Sequence, residues 1–248
     1  MKDEARLSDT SRPTLARMLA EFGEVEVAPL SKYGTLAAQR LARSWPQTPQ
    51  VTHHDTADIT ELEAARKLAN EGRARRLTSL PYLLKAVVSG LKAFPAFNAA
   101  FDSEGRQLIL RRYFNLGVAI DTPNGLVVGV LRRCDEKSIF ELAEEMAALS
   151  AKARAKGLSY DEVTGGCFTV SALGGLGGTA FTPIVNPPEV AILGAARLRE
   201  EPRRGSDGGV EWRLRLPLSL SYDHRAINGA DAARFLSHLC AQLQSPLD

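Results

Sequence analysis

The chain has 248 residues, 44% of them apolar and 24% charged, which is typical of a globular protein long enough to bury a sizeable core. Lysine and arginine total 31 against 29 aspartate and glutamate, so the net charge of +2 gives no electrostatic reason to expect nucleic acid or a membrane surface as the partner. No apolar run approaches the roughly 20 residues of a bilayer span, so no membrane helix is expected.

The N-terminus indicates a cytoplasmic protein, and the cysteines argue against disulfides and structural zinc. The opening residues MKDEARLSDTSR mix acidic and basic side chains without an apolar stretch, and this pattern matches neither a secretory signal nor a transit peptide. Cys134, Cys167 and Cys240 lie far apart and form no CxxC pair. We therefore expect buried thiols that act as small apolar side chains, with neither a disulfide framework nor a structural zinc site.

The predicted elements follow a polar N-terminal stretch. We interpret residues 1–22 as an arm or linker remnant and residues 23–248 as a single domain. The first half of the chain is predicted to form helices in PTLARMLAEFG and SKYGTLAAQRLARSW, a strand in QVTHHDTAD, and helices in TELEAARKLAN and SLPYLLKAVVSGLKAF. Three strands are predicted next, in QLILRRY, NLGVAID and LVVGVL, followed by a helix in SIFELAEEMAALSAKARAKG. The chain is then predicted to form strands in GGCFTVSAL, EVAILGAARLREE and GVEWRLRLPLSLSYD and a closing helix in GADAARFLSHLCAQL.

Turn and cap signals refine this order. Thr60 and Ser79 are expected to cap the helices that follow them, and TPNG predicts a hairpin between two of the strands. Strands outnumber crossover helices, and hairpins recur. The sequence therefore predicts an α+β fold with a mixed sheet flanked by helices, in preference to a doubly wound parallel sheet.

Three polar or glycine-rich clusters are weak candidates for sites. The adjacent His53 and His54 occupy a predicted strand, where successive side chains point to opposite faces, so no metal site is expected. The run GGLGG at 174–178 does not match G-x-G-x-x-G and leads into no helix, which argues against a dinucleotide site. The basic run GRARR at 72–76 is read as a solvated linker, with phosphate binding as the alternative.

The strongest candidate is His224, in SLSYDHRAINGADAARFL, where a strand gives way to a helix. A histidine at such a junction can be a structural residue. Asp223 and Arg225 are expected to point away from it and to pair with groups on the opposite side, leaving the imidazole facing a cavity, with the Asn228 amide nearby. Imidazole is the side chain best suited to take a proton near neutral pH, so a general base is the functional interpretation.

The same stretch resembles the D-H-R-x-x-[D/N]-G signature of the catalytic domain of 2-oxo acid dehydrogenase complex dihydrolipoamide acyltransferases. Further blocks resemble that family's in the family's order, and the likeness extends from about Phe22 to Leu243. These blocks are PLSKYGTLAAQRLARSWPQTPQVTHHDTADITELEAAR, NLGVAIDTPNGLVV, CFTVSALGGLGGTAFTPIVNPPEVAILG and LPLSLSYDHRAINGA. FTPIVNPPEVAILG looks most similar to the acetyl-specific, pyruvate-complex members.

The resemblance implies a chloramphenicol acetyltransferase-like fold, a trimer with active sites between subunits, and acyl transfer between coenzyme A and dihydrolipoamide. It implies that His224 is the general base on a thiol and that Ser171 donates to the oxyanion from a neighbouring subunit. Asn228 stands where many members carry Asp, and we expect it to position the loop. Arg66 matches a family arginine and is a candidate contact for coenzyme A phosphate, with a surface helix arginine as the alternative.

The resemblance also implies partners. The lipoamide is expected on a lipoyl domain of another chain or another part of the complex, because no lipoyl-type segment is present in these 248 residues. The chain is therefore either an excised core or a stand-alone acyltransferase. The ending QLQSPLD lacks an apolar anchor, so we expect a trimer that does not build a larger shell. Two alternatives stay open: an O-acetyltransferase of the chloramphenicol type and a non-catalytic scaffold subunit.

Overall fold

A computed structural model describes residues 14–73 and 76–244, apart from the side chains of Lys32 and Tyr33. The helices are α1 (Leu15–Ala20), α2 (Lys32–Ser44), α3 (Thr60–Ala69), α4 (Leu80–Ala93), α5 (Ile139–Lys156), α6 (Tyr160–Val163) and α7 (Gly229–Gln244). The strands are β1 (Gln50–Asp58), β2 (Ala99–Asp102), β3 (Gln107–Leu110), β4 (Leu116–Thr122), β5 (Gly125–Leu131), β6 (Phe168–Ala172), β7 (Ala191–Ala195), β8 (Arg199–Arg204) and β9 (Val210–Asp223).

The main sheet is mixed and seven-stranded. Its order is β1-β9-β7-β6-β4-β5, with β8 paired to β9 beside this path, while β2 and β3 form a separate two-stranded sheet. The β4–β6 and β6–β7 pairs are parallel and the other pairs are antiparallel. The α+β mixed sheet predicted from the sequence is confirmed, as is the β4–β5 hairpin at TPNG.

The core lies between this sheet and the layer formed by α4 and α7. Phe97 and Phe235 stack with ring centroids 4.1 Å apart, and Phe235 also approaches the Phe168 ring of β6 at 5.9 Å. Gly90 lets α4 and α7 approach closely, because a Cβ there would lie 2.9 Å from the Phe235 and Leu239 side chains. This packing explains why the α4 segment is apolar nearly all round.

The structure corrects the predicted cap at Thr60 and confirms the position, but not the capping bond, of Ser79. Thr60 is the first helical residue of α3 rather than its cap, and its hydroxyl donates to Asp58 Oδ1 at 2.7 Å and accepts from the Leu214 amide at 2.8 Å. Asp58 Oδ1 also accepts from the Thr60 amide. Ser79 occupies the N-cap position of α4, but its side chain makes no capping bond. The Thr60 hydroxyl therefore makes a tertiary hydrogen bond to β9 and does not form the helix cap that the local pattern predicted.

Two strand predictions also needed correction. EVAILGAARLREE forms β7 and β8 rather than one strand, because β9 is long enough to pair with both segments in succession along one of its sides. The short β2 in AAFD was missed, since four residues carry too little alternation to be recognised without their β3 partner. The first error concerns pairing with β9, and the second concerns a short local hairpin.

The three cysteines are free and buried, as predicted. Burial raises the pKa of the Cys134 and Cys167 thiols to about 11 and that of Cys240 to about 12. Such thiols stay protonated at neutral pH and are poor nucleophiles.

Glu189 is a buried carboxyl that the sequence analysis did not single out. It is only 6% exposed, and its Oε2 has no hydrogen-bond partner among the described residues. Arg111 lies nearby and donates to the carbonyl oxygens of Ala99, Cys167 and Pro188. Burial raises the pKa of Glu189 from 4.5 to about 7. The folded state therefore favours the protonated carboxyl.

Glu189→Gln is expected to make stability less dependent on pH. The folded protein binds this proton more tightly than the unfolded chain, so the wild type loses stability as the pH rises from 4.5 towards 7. The loss is roughly 3 kcal/mol. The variant should match the wild type at pH 4.5 and have a higher Tm at pH 8, measured by calorimetry.

Glu162→Gln is the control of opposite sign. A hydrogen bond from Lys152 and bonds from Ser159 lower the pKa of the half-buried Glu162 to about 2, so its charge stabilises the folded state above pH 4.5. This variant should lower the Tm at pH 8. An equal Tm for Glu189→Gln and the wild type at pH 8 would contradict the buried-acid assignment.

Candidate functional site

His224 begins the tight turn between β9 and α7. Its amide donates to the Pro49 carbonyl at 3.0 Å, and the preceding Asp223 amide donates to the Val190 carbonyl at 2.9 Å. The side chain is exposed, with its ring 5.8 Å from that of Tyr222. The backbone is thus fixed from two sides while the imidazole projects from the chain. The expectation that it faces a cavity is not met within one chain.

Asp223 and Arg225 pair with each other, which corrects the expectation that they pair with groups on the opposite side. Arg225 Nη2 lies 2.6 Å from Asp223 Oδ2, and Arg225 Nε lies 2.9 Å from Oδ1. The Arg225 amide also donates to Asp223 Oδ1 at 3.0 Å. Hydrogen bonding to this carboxylate raises the pKa of the Arg225 guanidinium above its usual value.

Asn228 lies four residues after His224 and caps α7. Its Oδ1 accepts from the Asp231 amide at 2.9 Å, and its Nδ2 donates to Asp231 Oδ2 at 2.7 Å. This reciprocal arrangement fixes the orientation of the Asn228 amide. Asp231 was not predicted as a site residue, although the N-x-x-D spacing before an apolar run is a signal for such a pair.

Ser171 lies on β6, far from His224 in the same chain. Ser171 is in register with Gly194 of β7, which is in register with Ser219 of β9. His224 comes five residues after Ser219, which corresponds to roughly 16 Å along the strand and, over two strand spacings, roughly 10 Å across the sheet. The structure therefore does not bring the two predicted catalytic side chains together within one chain.

The face of the sheet that carries Ser171 is covered by the irregular segment 173–187. Phe181 packs on Gly194, where a Cβ would lie 2.6 Å from the ring. Gln50 anchors the segment from β1, because its Nε2 donates to the Pro183 carbonyl and its Oε1 accepts from the Val185 amide, each at 2.9 Å. Ser171 is only 9% exposed beneath this cover. A side-chain amide supplies both a donor and an acceptor, so Gln50 can bind two backbone groups of this segment at once.

Arg66 is engaged within its own chain. Its guanidinium binds both carboxylate oxygens of Glu63 and donates to the Leu77 carbonyl, and its side chain is 18% exposed. It nevertheless lines a cleft of about 470 Å³. The cleft is lined by Arg66, Lys67, Asn70, Glu71, Gly72, Arg73 and Arg76. Four cations against one carboxylate make it suited to an anionic ligand.

This cleft also bears on the basic run at 72–76. Arg73 and Arg76 line the cleft, and the Arg73 guanidinium lies 3.9 Å over the Phe140 ring. At these two positions the run contributes to the cleft and is not simply a solvated linker. Residues 74–75 lie outside the described residues.

The adjacent His53 and His54 lie on β1. His54 Nδ1 lies 2.9 Å from Ser219 Oγ, which gives it a structural partner. In the part of the chain that the structure describes, no group of three His, Cys, Asp or Glu side chains could hold a metal ion.

The described ranges also contain no helix that is long and apolar enough to cross a bilayer. The prediction that the ending QLQSPLD lacks an apolar anchor concerns mainly residues 245–248, which lie outside the described residues.

Comparison with solved structures supports the same fold. Azotobacter vinelandii dihydrolipoamide acetyltransferase is 49% identical and superposes with a TM-score of 0.86, covering 91% of this chain and 93% of that one. Chloramphenicol acetyltransferase superposes with a TM-score of 0.58 at 18% identity, over 80% of this chain and 90% of that one. The predicted chloramphenicol acetyltransferase-like fold is confirmed.

Sequence comparison leads to the same group. The dihydrolipoyllysine-residue acetyltransferase components of pyruvate dehydrogenase complexes from Haemophilus influenzae and Azotobacter vinelandii are 47% and 50% identical, each over 89% of this chain. The chain spans only 40% and 35% of the length of these relatives. The model of the 2-oxoacid dehydrogenases acyltransferase (catalytic domain) matches residues 22–248. The chain therefore belongs to the 2-oxoacid dehydrogenases acyltransferase family, as the resemblance of its sequence blocks predicted.

Proposed function

We propose that this protein transfers an acetyl group between coenzyme A and dihydrolipoamide. The observation that carries the proposal is the His224 turn, in which a rigid backbone presents an exposed imidazole at the end of β9, in a chain about half identical to acetyltransferase components. Membership of the acyltransferase family supports the reaction class. We assign residues 23–248 to the catalytic domain and residues 1–22 to an arm that precedes it.

The related Azotobacter vinelandii enzyme supports the choice of residues. Its structure accompanies work on the role of a serine, a histidine and an asparagine in its catalytic mechanism. That histidine and asparagine are four residues apart, as His224 and Asn228 are, and the serine precedes the histidine by 52 residues against 53 here. The near-equal spacing favours Ser171, His224 and Asn228 as the corresponding set.

The chemistry follows from what each group can do. A thiol with a pKa near 8.5 is mostly protonated at neutral pH, and His224 would accept its proton as the thiolate forms and attacks the thioester carbonyl. The tetrahedral intermediate bears an oxyanion, to which the Ser171 hydroxyl would donate a hydrogen bond. Collapse of the intermediate expels the second thiolate, which takes the proton back from the imidazolium. Asn228 would hold the turn through its cap on α7.

The site requires a second copy of the chain. Ser171 and His224 lie roughly 19 Å apart within one chain by strand geometry, too far for one reacting group to contact both. We propose a homotrimer in which each site combines His224 of one subunit with Ser171 of the next. Each interface would be head-to-tail, and such interfaces form a closed ring when the rotation between successive subunits closes.

The cationic cleft beside α3 would receive the phosphates of coenzyme A. Arg66 is oriented by Glu63, and Lys67, Arg73 and Arg76 add positive charge on the open side. The second substrate would be a lipoyl group carried on a separate domain or chain, and the wider partners would be other 2-oxo acid dehydrogenase subunits. Buried free thiols suit a cytoplasmic location, where thiols stay reduced.

The combined charge-removing variant Lys67→Gln/Arg76→Gln is expected to raise the KM for coenzyme A by roughly three- to tenfold without changing kcat, because exposed ion pairs contribute about 0.2–1 kcal/mol each. Steady-state kinetics at low and high salt would measure it, and the difference should shrink at high salt. Arg133→Gln, at an exposed ion pair with Glu136, is the matched control. An unchanged KM would place the phosphates elsewhere.

The test of the function is acetyl transfer from acetyl-CoA to free dihydrolipoamide by the purified protein, with the oligomeric mass recorded. Transfer by a trimer supports the proposal. A well-formed trimer with no transfer would favour the scaffold alternative. Faster acetylation of chloramphenicol than of dihydrolipoamide would favour the O-acetyltransferase alternative.

A further inference from the structure

The turn that carries His224 is closed by its two flanking residues. The Asp223 carboxylate accepts from the Arg225 amide, from Arg225 Nε and from Arg225 Nη2, so side chains two residues apart form a ring around the position of His224. Asp223 is only 4% exposed. A two-point pair between a guanidinium and a carboxylate fixes orientation as well as distance, and partial burial strengthens it.

A third residue, from a distant part of the chain, supports this pair. The Arg225 guanidinium carbon lies 4.5 Å from the centroid of the Phe101 ring. Phe101 belongs to β2 and is opposite Leu108 of β3. The small sheet is anchored by the buried Asn98, whose Nδ2 donates to the carbonyl oxygens of Arg111 and Tyr113. The ring therefore offers a fixed surface for the cation.

We propose that Asp223, Arg225 and Phe101 form a positioning brace that holds the His224 imidazole in its reactive orientation, a role that rests on the proposed acetyl transfer. The imidazole itself has little to hold it, since its side chain is exposed. The direction of the imidazole is set by the backbone of the turn, and the brace holds the two sides of this turn together. The two-stranded sheet β2–β3, which lies outside the main sheet, thereby acquires a function.

The brace predicts an effect on turnover with little effect on substrate binding. A displacement of about 1 Å in a reacting group can lower a rate about a hundredfold. Arg225→Lys keeps the charge but loses the planar fork, and it should lower kcat by about ten- to a hundredfold with each KM unchanged. Phe101→Leu keeps an apolar side chain but removes the aromatic face, and it should lower kcat by a few fold.

The experiment compares these two variants, their combination and the control Arg133→Lys, at an exposed ion pair elsewhere. Steady-state kinetics of acetyl transfer are measured on trimers of confirmed mass. The combined variant should be no slower than Arg225→Lys alone, because both changes break one brace. A loss equal to the product of the single losses, an increase in KM in place of a fall in kcat, or an unchanged kcat for Arg225→Lys would each overturn the proposal.

Amide hydrogen exchange separates the brace from the reaction. The amides of His224 and Ala226 are bonded to the carbonyls of Pro49 and Asp223, so both should exchange faster in Arg225→Lys than in the wild type and the control. Unchanged exchange would overturn the brace whether or not the wild type transfers acetyl groups. A wild type that transfers none would refute the proposed function.

Discussion

His224→Ala is expected to lower kcat for acetyl transfer by about 10²- to 10⁴-fold, because the thiol loses the group that takes its proton. The Tm should change little, since within one chain the imidazole is exposed and its ring centroid lies 5.8 Å from that of Tyr222. Steady-state kinetics with sedimentation of both proteins would measure this result.

The residual rate of His224→Ala should depend on pH more steeply than the wild-type rate. Without a general base, the variant depends on the free thiolate, whose fraction rises about tenfold per pH unit up to the thiol pKa near 8.5. His53→Ala, on β1, is the matched control and should retain wild-type kinetics. A His224→Ala variant within twofold of the wild type at pH 7 would remove His224 from the mechanism.

Mixed trimers of two inactive variants are expected to recover activity. Ser171→Ala should lower kcat by about 10²- to 10³-fold through loss of the oxyanion donor. If each site takes its histidine from one subunit and its serine from the next, random trimers of Ser171→Ala and His224→Ala chains contain intact sites. A random mixture of equally abundant chains should recover about a quarter of the wild-type rate, and an isolated mixed trimer, with one intact site in three, about a third.

Co-expression with two purification tags would isolate the mixed trimers for this test. The control replaces the Ser171→Ala chain by a chain that carries both substitutions, which can complete no site and should restore nothing. Mixed trimers of proven composition that stay inactive would mean that serine and histidine act within one chain, against the separation imposed by the strand register.

The fold class, most of the elements and the candidate residues could be predicted from the sequence alone. The apolar periodicity of α4, α5 and β9 and the TPNG turn are local signals, so they were readable without the tertiary structure. Several ordered blocks that resemble one family also led to Ser171, His224 and Asn228. The order of the motifs and the residue types within them can be read from the sequence and do not require a three-dimensional structure.

How those residues are held, and where they lie relative to one another, depends on the tertiary structure. Asp223 and Arg225 are only two residues apart, but their pairing depends on the conformation of the turn between them. The split of β7 from β8 and the support from Phe101 depend on contacts with segments distant in sequence. Thr60 lost its expected capping role for the same reason, because a β9 amide bonds to its hydroxyl. The separation of Ser171 from His224 likewise follows from the register of three strands, and register is set by packing of the whole sheet.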